Sequence, residues 1–461
     1  MFRRLLDFIK PFFSTKYKTN SFMDEIISKP TVKDIPKVIE IAPSSLPPLP
    51  IIPEILEALF PINIIDKEKR INYIQDNETL SLGRGTLLFM QGEPINSLYY
   101  LLEGTVSLYI YDDKVCEISP TVTVDRFPLC SGKTYSVSAR AETDIQVVRV
   151  SPDVMLVNQS KDISPFNPTD PNIPKNVQES RLFQTFCQVY LNGRMQIPPL
   201  PSMTLKLRQA LQAEDVGIRE VAEIVQMDSV IAGRLIQIAN SVLYRPWAPF
   251  NNCRDAIAHI GLIATRNFVV MQSMRQIFNS KNFLINRLLR EEWRKSVYLS
   301  SLCWVLASEN GGVHPEEAQL AGLVSDIGKI PFINSLANIK NEHLTPNEIA
   351  LVLPYICPKI GAEVLKSWGF SNELAEIPLL SENWFNDTNP QIRLSDIVIL
   401  SKLHAYIGSP KMKYLPPINS IPAFGKLKDY RLCLDDPITF SLQVLHSAKE
   451  KVSAAEGLLG F

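Results

Sequence analysis

Between Leu80 and Val150 apolar and polar residues alternate with a period of two: Val106, Leu108 and Ile110 fall on one face, Thr105, Ser107 and Tyr109 on the other. The alternation predicts half-buried strands, because successive side chains of an extended chain point to opposite sides. Further strands are expected over 97–102, 136–141 and 145–150. Turn signals at Gln91-Gly92-Glu93, Glu103-Gly104 and Asp112-Asp113 recur roughly every ten residues, the spacing of an antiparallel barrel or jelly roll. From Leu182 the period becomes helical. Ile218, Val221, Ala222 and Val225 form one apolar stripe, and Leu235 and Ile238 belong to the next helix, with Asp228 or Ser229 as its N-cap and Asn240 as its terminator. Another core helix starts at Pro315, carries Glu316 and Glu317 in its first turn, turns Leu320, Leu323, Val324 and Ile327 inward and stops at Gly328. The fold class expected is α+β and multidomain: an N-terminal antiparallel β-barrel or jelly roll followed by an all-α domain.

Prolines divide these regions. Residues 1–53 read as a tail and a connector, polar over 14–45 and then stiffened by Pro43, Pro47, Pro48, Pro50 and Pro53, with no core expected. From Ile55 to about Tyr73, Leu56, Leu59 and Phe60 recur at helical spacing and predict one or two short helices leading into a β domain over 54–160. Pro165, Pro168, Pro171 and Pro174 fall every third residue, a polyproline II repeat that marks a linker over 161–181, and 182–461 is the helical domain.

A chain of 461 residues is too long for one core, in keeping with two domains plus tails. With 47 Lys+Arg against 48 Asp+Glu, the net charge of -1 supplies no global field for nucleic acid, and the helical half shows no compact basic recognition helix. Seven cysteines without a CxxC pair suit a reducing cytoplasm better than a disulfide or zinc framework. No apolar run reaches the ~18 residues a membrane span needs. Residues 2–13 form a short basic amphipathic stretch, which reads either as a peripheral membrane or partner contact or as a helix packed on its own protein.

The stretches 85–93, 98–106 and 137–139, with glycine turns at Gly92 and Gly104, resemble the strands and turns of cyclic-nucleotide-binding domains over roughly residues 73–155. In that family the resemblance implies a Phe-Gly-Glu stretch whose Glu holds the ribose hydroxyl, and a later Arg that pairs with the cyclic phosphate. The matching positions here are Phe127-Pro128-Leu129 and Lys133-Thr134. Proline has no N–H to donate, leucine accepts no hydrogen bond, and lysine offers a point charge in place of a bidentate fork. Losing one charged hydrogen bond, about 1.5–3 kcal/mol, weakens binding about tenfold to a hundredfold. The expectation is an altered pocket, with Phe127 and Leu129 filling the barrel and Lys133 solvated, and at most a weak or unconventional nucleotide ligand.

Residues 321–329 resemble the helix end that carries the paired His-Asp ligands of HD-type metal phosphohydrolases, with Ser325 where the His would be and Asp326 retained. In 292–296, Lys295 stands at the family's first histidine, and in 397–403 Lys402 stands at its last aspartate. Neither 357–359 nor 380–382 supplies a histidine. Ile197-Pro198-Pro199-Leu200-Pro201, Met227-Asp228-Ser229, Ile238-Ala239-Asn240-Ser241, Ala256-Ile257 and Ile260-Gly261 resemble, within that superfamily, the HDOD domain, in which metal ligands are characteristically missing; the likeness covers roughly 182–448. A lone carboxylate does not hold a catalytic divalent ion, so no metal and no cofactor is expected. Asp228, Asn240 and Asp326 also have plain structural readings as N-cap, C-cap and a carboxylate capping a neighbouring helix end. A site built from Asp396, His404 and His446 is a further option; no two of the five histidines are spaced i, i+4.

The function expected is a non-catalytic signalling, regulatory or scaffold protein of bacterial type that acts on a protein partner. Two alternatives stand beside it: a cyclic-nucleotide sensor with a remodelled pocket, and a metal-dependent phosphohydrolase with displaced ligands. The sequence leaves oligomeric state and partner open.

Overall fold

The computed structural model describes residues 42–427, apart from 121–126, 159–164, 212–216, 337–345 and 410–414 and the positions 66, 77, 111–112, 172, 196, 242–243, 245 and 408. The basic amphipathic N-terminus, the Asp112 half of one expected turn and His446 lie outside the described residues.

Short helices come first: α1 (Pro53–Ala58), a 3-10 turn at Ile62–Ile64, α2 (Lys67–Arg70) and a second 3-10 turn at Ile71–Tyr73. Pro61, which lacks an N–H, stands between the first two of these. Seven strands follow among the described residues: β1 (Leu80–Leu82), β2 (Leu87–Phe89), β3 (Leu98–Glu103), β4 (Val106–Ile110), β5 (Asp113–Ile118), β6 (Ser138–Ala141) and β7 (Ile145–Val150). They form two antiparallel sheets, of order β1-β7-β3 and β2-β6-β4-β5. Val106, Leu108 and Ile110 are buried as the alternation requires. Ser107, expected on the open face, is buried too. Gly104 turns β3 into β4 with φ +89°, where a Cβ would come within 2.3 Å of the Asp144 carbonyl oxygen, so only glycine fits.

The proline-rich segment before α1 docks along the β1 edge, where no core contact was expected. Leu49 and Thr79 exchange hydrogen bonds of 2.8 Å, and Gln146 donates to the Pro47 carbonyl at 2.6 Å. Covering the edge with a segment rich in proline hides donors and acceptors that would otherwise template another strand.

The rest of the described chain is helical: α3 (Lys175–Gln178), α4 (Arg181–Leu191), α5 (Ser202–Leu211), α6 (Ile218–Gln226), α7 (Ser229–Ala239), α8 (Cys253–Ile260), α9 (Leu262–Met274), α10 (Phe283–Asn310), α11 (Pro315–Val324), α12 (Lys329–Leu336), α13 (Pro346–Ser367), α14 (Asn372–Leu380), α15 (Leu394–Tyr406) and α16 (Pro422–Gly425). Among the described residues no helix is long and apolar enough to cross a membrane. Asp228 caps α7, accepting from the Val230 and Ile231 amides at 2.9 and 3.0 Å. Asn240 ends that helix and clamps the following loop through both Phe250 backbone groups, at 2.7 and 2.8 Å. The segment with the triplet prolines packs on the helices: the Phe166 ring meets Phe183, Phe186 and Tyr190, and Ile173 is buried beside them. Two cores result. One is wholly helical and holds Phe186, Leu235, Phe268, Leu323, Phe332 and Ile356. The other joins the two sheets to α10, α15 and α16 through Leu299, Cys303, Leu306, Ile397, Leu400 and Phe424.

Candidate functional site

Asp326 sits in the turn between α11 and α12. That turn is held tightly against α13 at Gly328, where a Cβ would meet the Cys357 carbonyl oxygen at 2.0 Å. The Asp326 carboxylate accepts from two ammonium groups, Lys402 Nζ of α15 at 2.9 Å and Lys329 Nζ of α12 at 3.0 Å. Lys402 is only 2% exposed and also donates to Ser381 Oγ at 3.0 Å, with Glu382 at 3.4 Å. Glu382 in turn accepts from the Tyr406 hydroxyl at 2.9 Å. Lys329 pairs with Glu292 of α10 at 3.3 Å, and Glu292 takes the Lys295 ammonium at 2.5 Å. Three carboxylates and three ammonium groups form one chain of contacts across α10, α12 and α15.

The electrostatics follow from the geometry. Burial alone would raise the Asp326 pKa, yet the Lys329 and Lys402 charges overcome it and hold the carboxyl well below the usual carboxylate range. For Lys329, burial pushes towards the neutral amine, and the Asp326 and Glu292 charges reverse that and raise the pKa well above normal. Asp326 therefore does not cap a helix end, as one sequence reading had it: its side chain is an ion-pair acceptor. A divalent cation does not fit these residues, because both oxygens of the carboxylate face ammonium groups and positive charge occupies the space a cation would need.

Ser325 and Lys295 do not join Asp326 directly. The buried Ser325 hydroxyl donates to the Gly322 carbonyl of its own helix at 2.9 Å. Lys295 is largely exposed and reaches the network through Glu292. Asp396 and His404 share α15 and go separate ways: Asp396 binds the Arg393 amide and Lys426, at 2.9 and 3.1 Å, while the buried His404 ring contacts the Leu400 carbonyl at 2.6 Å. Among the described residues no three His, Cys, Asp or Glu side chains are grouped to hold a metal.

The loop that matches the nucleotide pocket is enclosed by protein. Phe127, Leu129 and Cys130 are buried, and the Phe127 ring stacks on Phe385 with centroids 5.9 Å apart. The Leu129 carbonyl accepts from Asn419 Nδ2 at 2.9 Å, and the Ser131 hydroxyl donates to the Ser420 carbonyl. Close by, buried Lys426 bridges Asp387 and Asp396, at 3.2 and 3.1 Å. Lys133 and Thr134 are exposed, as solvated side chains. Neither the ribose acceptor nor the phosphate fork of a cyclic nucleotide is present among these residues.

Comparison with known proteins now has a geometry to stand on. Residues 197–383 match the HDOD domain and residues 79–157 the cyclic nucleotide-binding domain. The chain carries both. A solved structure of a candidate metal-dependent phosphohydrolase from Shewanella amazonensis is 24% identical, covering 58% of this chain and 96% of that one, with a TM-score of 0.45. An HDOD domain protein of unknown function from Geobacter sulfurreducens is 19% identical over 61% and 99%, also at 0.45. A candidate signal transduction protein from Marinobacter aquaeolei is 12% identical over 70% and 76%, at 0.44. No curated protein matches the chain.

Sequence reasoning missed Glu292, Lys329, Ser381, Glu382 and Tyr406. All but Tyr406 lie inside stretches singled out for the ligands they lack. The available signal was i, i+3 and i, i+4 spacing: Lys329 is three residues from Asp326, Lys295 three from Glu292, and Tyr406 four from Lys402.

Proposed function

We propose that this protein is a non-catalytic regulator that acts by recognising a protein partner, with an ion-pair network standing where relatives of the HD type hold metal. The presence of an HDOD domain together with a cyclic nucleotide-binding domain supports a regulatory role. The observation that carries the non-catalytic part is the pair of ammonium groups on Asp326: a hydrolase of this kind needs a metal-activated water, and the position is filled by fixed positive charge. Phe127, Leu129, Lys133 and Thr134 belong to the same reading as altered pocket positions, with Leu129 and Ser131 engaged by the segment that precedes α16. The division into a β unit over 54–160 and a helical unit over 182–461, separated by 161–181, is part of it. Recognition is favoured by apolar side chains left exposed on the helical half, among them Leu191, Met227, Val230 and Trp247.

The test uses the full chain purified without chelator. Elemental analysis is expected to find less than about one-tenth of an equivalent of Mn, Fe or Zn, and phosphodiester and phosphomonoester substrates are expected to stay intact. A stoichiometric metal, or turnover abolished by Asp326→Asn, would establish the hydrolase alternative instead.

A further inference from the structure

Residues 381–393 join α14 to α15 without regular secondary structure, and the first seven of them touch both regions described above. At the start of the segment, Ser381 Oγ accepts from Lys402 Nζ at 3.0 Å and Glu382 lies 3.4 Å from the same ammonium, which also holds Asp326. At residue 387 the partner changes: Asp387 pairs with Lys426 at 3.2 Å, and Lys426 reaches Asp396 at 3.1 Å. Between these points the Phe385 ring stacks on Phe127 and lies tilted against Phe60, with centroids 5.9 and 5.4 Å apart. Asp396 and Lys402 both belong to α15. Two lysines, with side chains 2% and 8% exposed, thus fasten one segment to one helix at two points.

What lies beyond each lysine differs. Past Lys402 is the turn that carries Asp326. Past Lys426 are the residues around α16 that hold the loop of the β unit: Asn419 donates to the Leu129 carbonyl at 2.9 Å, the Ser131 hydroxyl donates to the Ser420 carbonyl, and a Cβ on Gly132 would touch Pro422 and Asp387 at 3.6 and 3.7 Å. An ammonium group that loses its carboxylate inside protein keeps its desolvation and forfeits its pairing, so each lysine resists displacement of the segment at its own end. The backbone resists less, being held by turn hydrogen bonds at Asn383 and Asn386, of 3.0 and 3.1 Å, and belonging to no helix or sheet. A segment held weakly along its length and firmly at both ends moves as one piece.

We propose that residues 381–387 are a strap that couples the loop around Leu129 to the ion-pair network at Asp326. Release of the loop slackens the strap and loosens the network, and breaking the network loosens the loop by the same factor, because coupling between two sites is reciprocal. In a regulator, the strap carries engagement of the β unit into the helical unit. The coupling rests on contacts within the chain and stands whether or not the network replaces a metal centre.

Amide hydrogen exchange of the full chain tests it, read on peptides covering 127–135, 325–330 and, as a reference away from both, 229–239. Asn419→Ala is expected to speed exchange in 127–135 and, at the far end of the strap, by at least about fivefold in 325–330, with 229–239 unchanged. Lys402→Met is expected to speed exchange in 127–135 by a comparable factor. In a Phe385→Leu/Asp387→Asn background, which keeps the bulk of the strap and loosens its hold on Phe127 and Lys426, each cross-effect is expected to fall below about twofold. If that background itself loses protection in 229–239, Asp387→Asn alone carries the same comparison. Effects confined to the end that was altered, cross-effects that persist in full in the strap variants, or a rise in 229–239 equal to that in the other two peptides each overturn the proposal.

Discussion

The surroundings of Asp326 and of Leu129 are built in opposite ways. Around Asp326 the residues are charged, and each charge is answered by another within about one hydrogen-bond length, so the site is polar and its charges are paired in place. In the loop around Leu129 the residues are apolar, and their backbone groups are answered by a neighbouring segment, at Asn419 and Ser420. A largely buried carboxylate keeps its surroundings polar, because it has to be neutralised in place. A loop whose side chains are Phe, Pro and Leu closes by packing, because only its backbone groups then need polar partners. The first leaves a network that is unstable to single removals; the second leaves an interface that tolerates them better.

Lys402→Ala breaks that comparison most sharply. It leaves Asp326 with Lys329 as its remaining ammonium partner and opens a cavity at a position where Lys402 is 2% exposed, and the loss is expected to be about 2–4 kcal/mol by denaturant unfolding. A loss under about 1 kcal/mol would mean that Lys329 and water suffice to neutralise the carboxylate without Lys402. The same site has a pH signature. Its carboxyl is held below the ordinary value of about 3.9, so its stabilisation is complete above that value and disappears as pH falls through and below it. The stability difference between the parent chain and Asp326→Asn is accordingly expected to shrink between about pH 5 and pH 2, and a constant difference would contradict the ion pairing.

Asn419→Ala probes the closed loop and is expected to cost about 1–3 kcal/mol, the range for leaving one buried carbonyl, that of Leu129, without its donor. Lys133→Ala should do least. Its side chain is exposed, so neither the unfolding midpoint nor the response of the chain to cyclic AMP or GMP in calorimetry is expected to move. Heat from cyclic AMP that Lys133→Ala abolishes would show that the pocket still works as a pocket and would collapse the contrast between the two sites.

Much of the architecture is legible in local pattern. The period-two run over β4 and β7, the turn at Gly104, the N-cap at Asp228, the clamp residue Asn240 and the helix starting at Pro315 all follow from spacing and from what Gly, Asp, Asn and Pro do to a backbone. That Leu129, Ser325 and Lys402 carry no carboxylate or imidazole is likewise plain from residue type alone.

Which partners these residues meet needed the tertiary structure. Lys402 and Asp326 are 76 residues apart, and Asn419 reaches Leu129 across 290. No local period encodes such meetings; they exist because α15 packs against the turn after α11 and because the segment before α16 returns to the sheets. The sequence by itself determined which side chains were able to pair, since an amine and a carboxylate must find each other once buried. Only the packing of distant elements decided which pairs formed, because burial removes the water that would otherwise have served every charge equally.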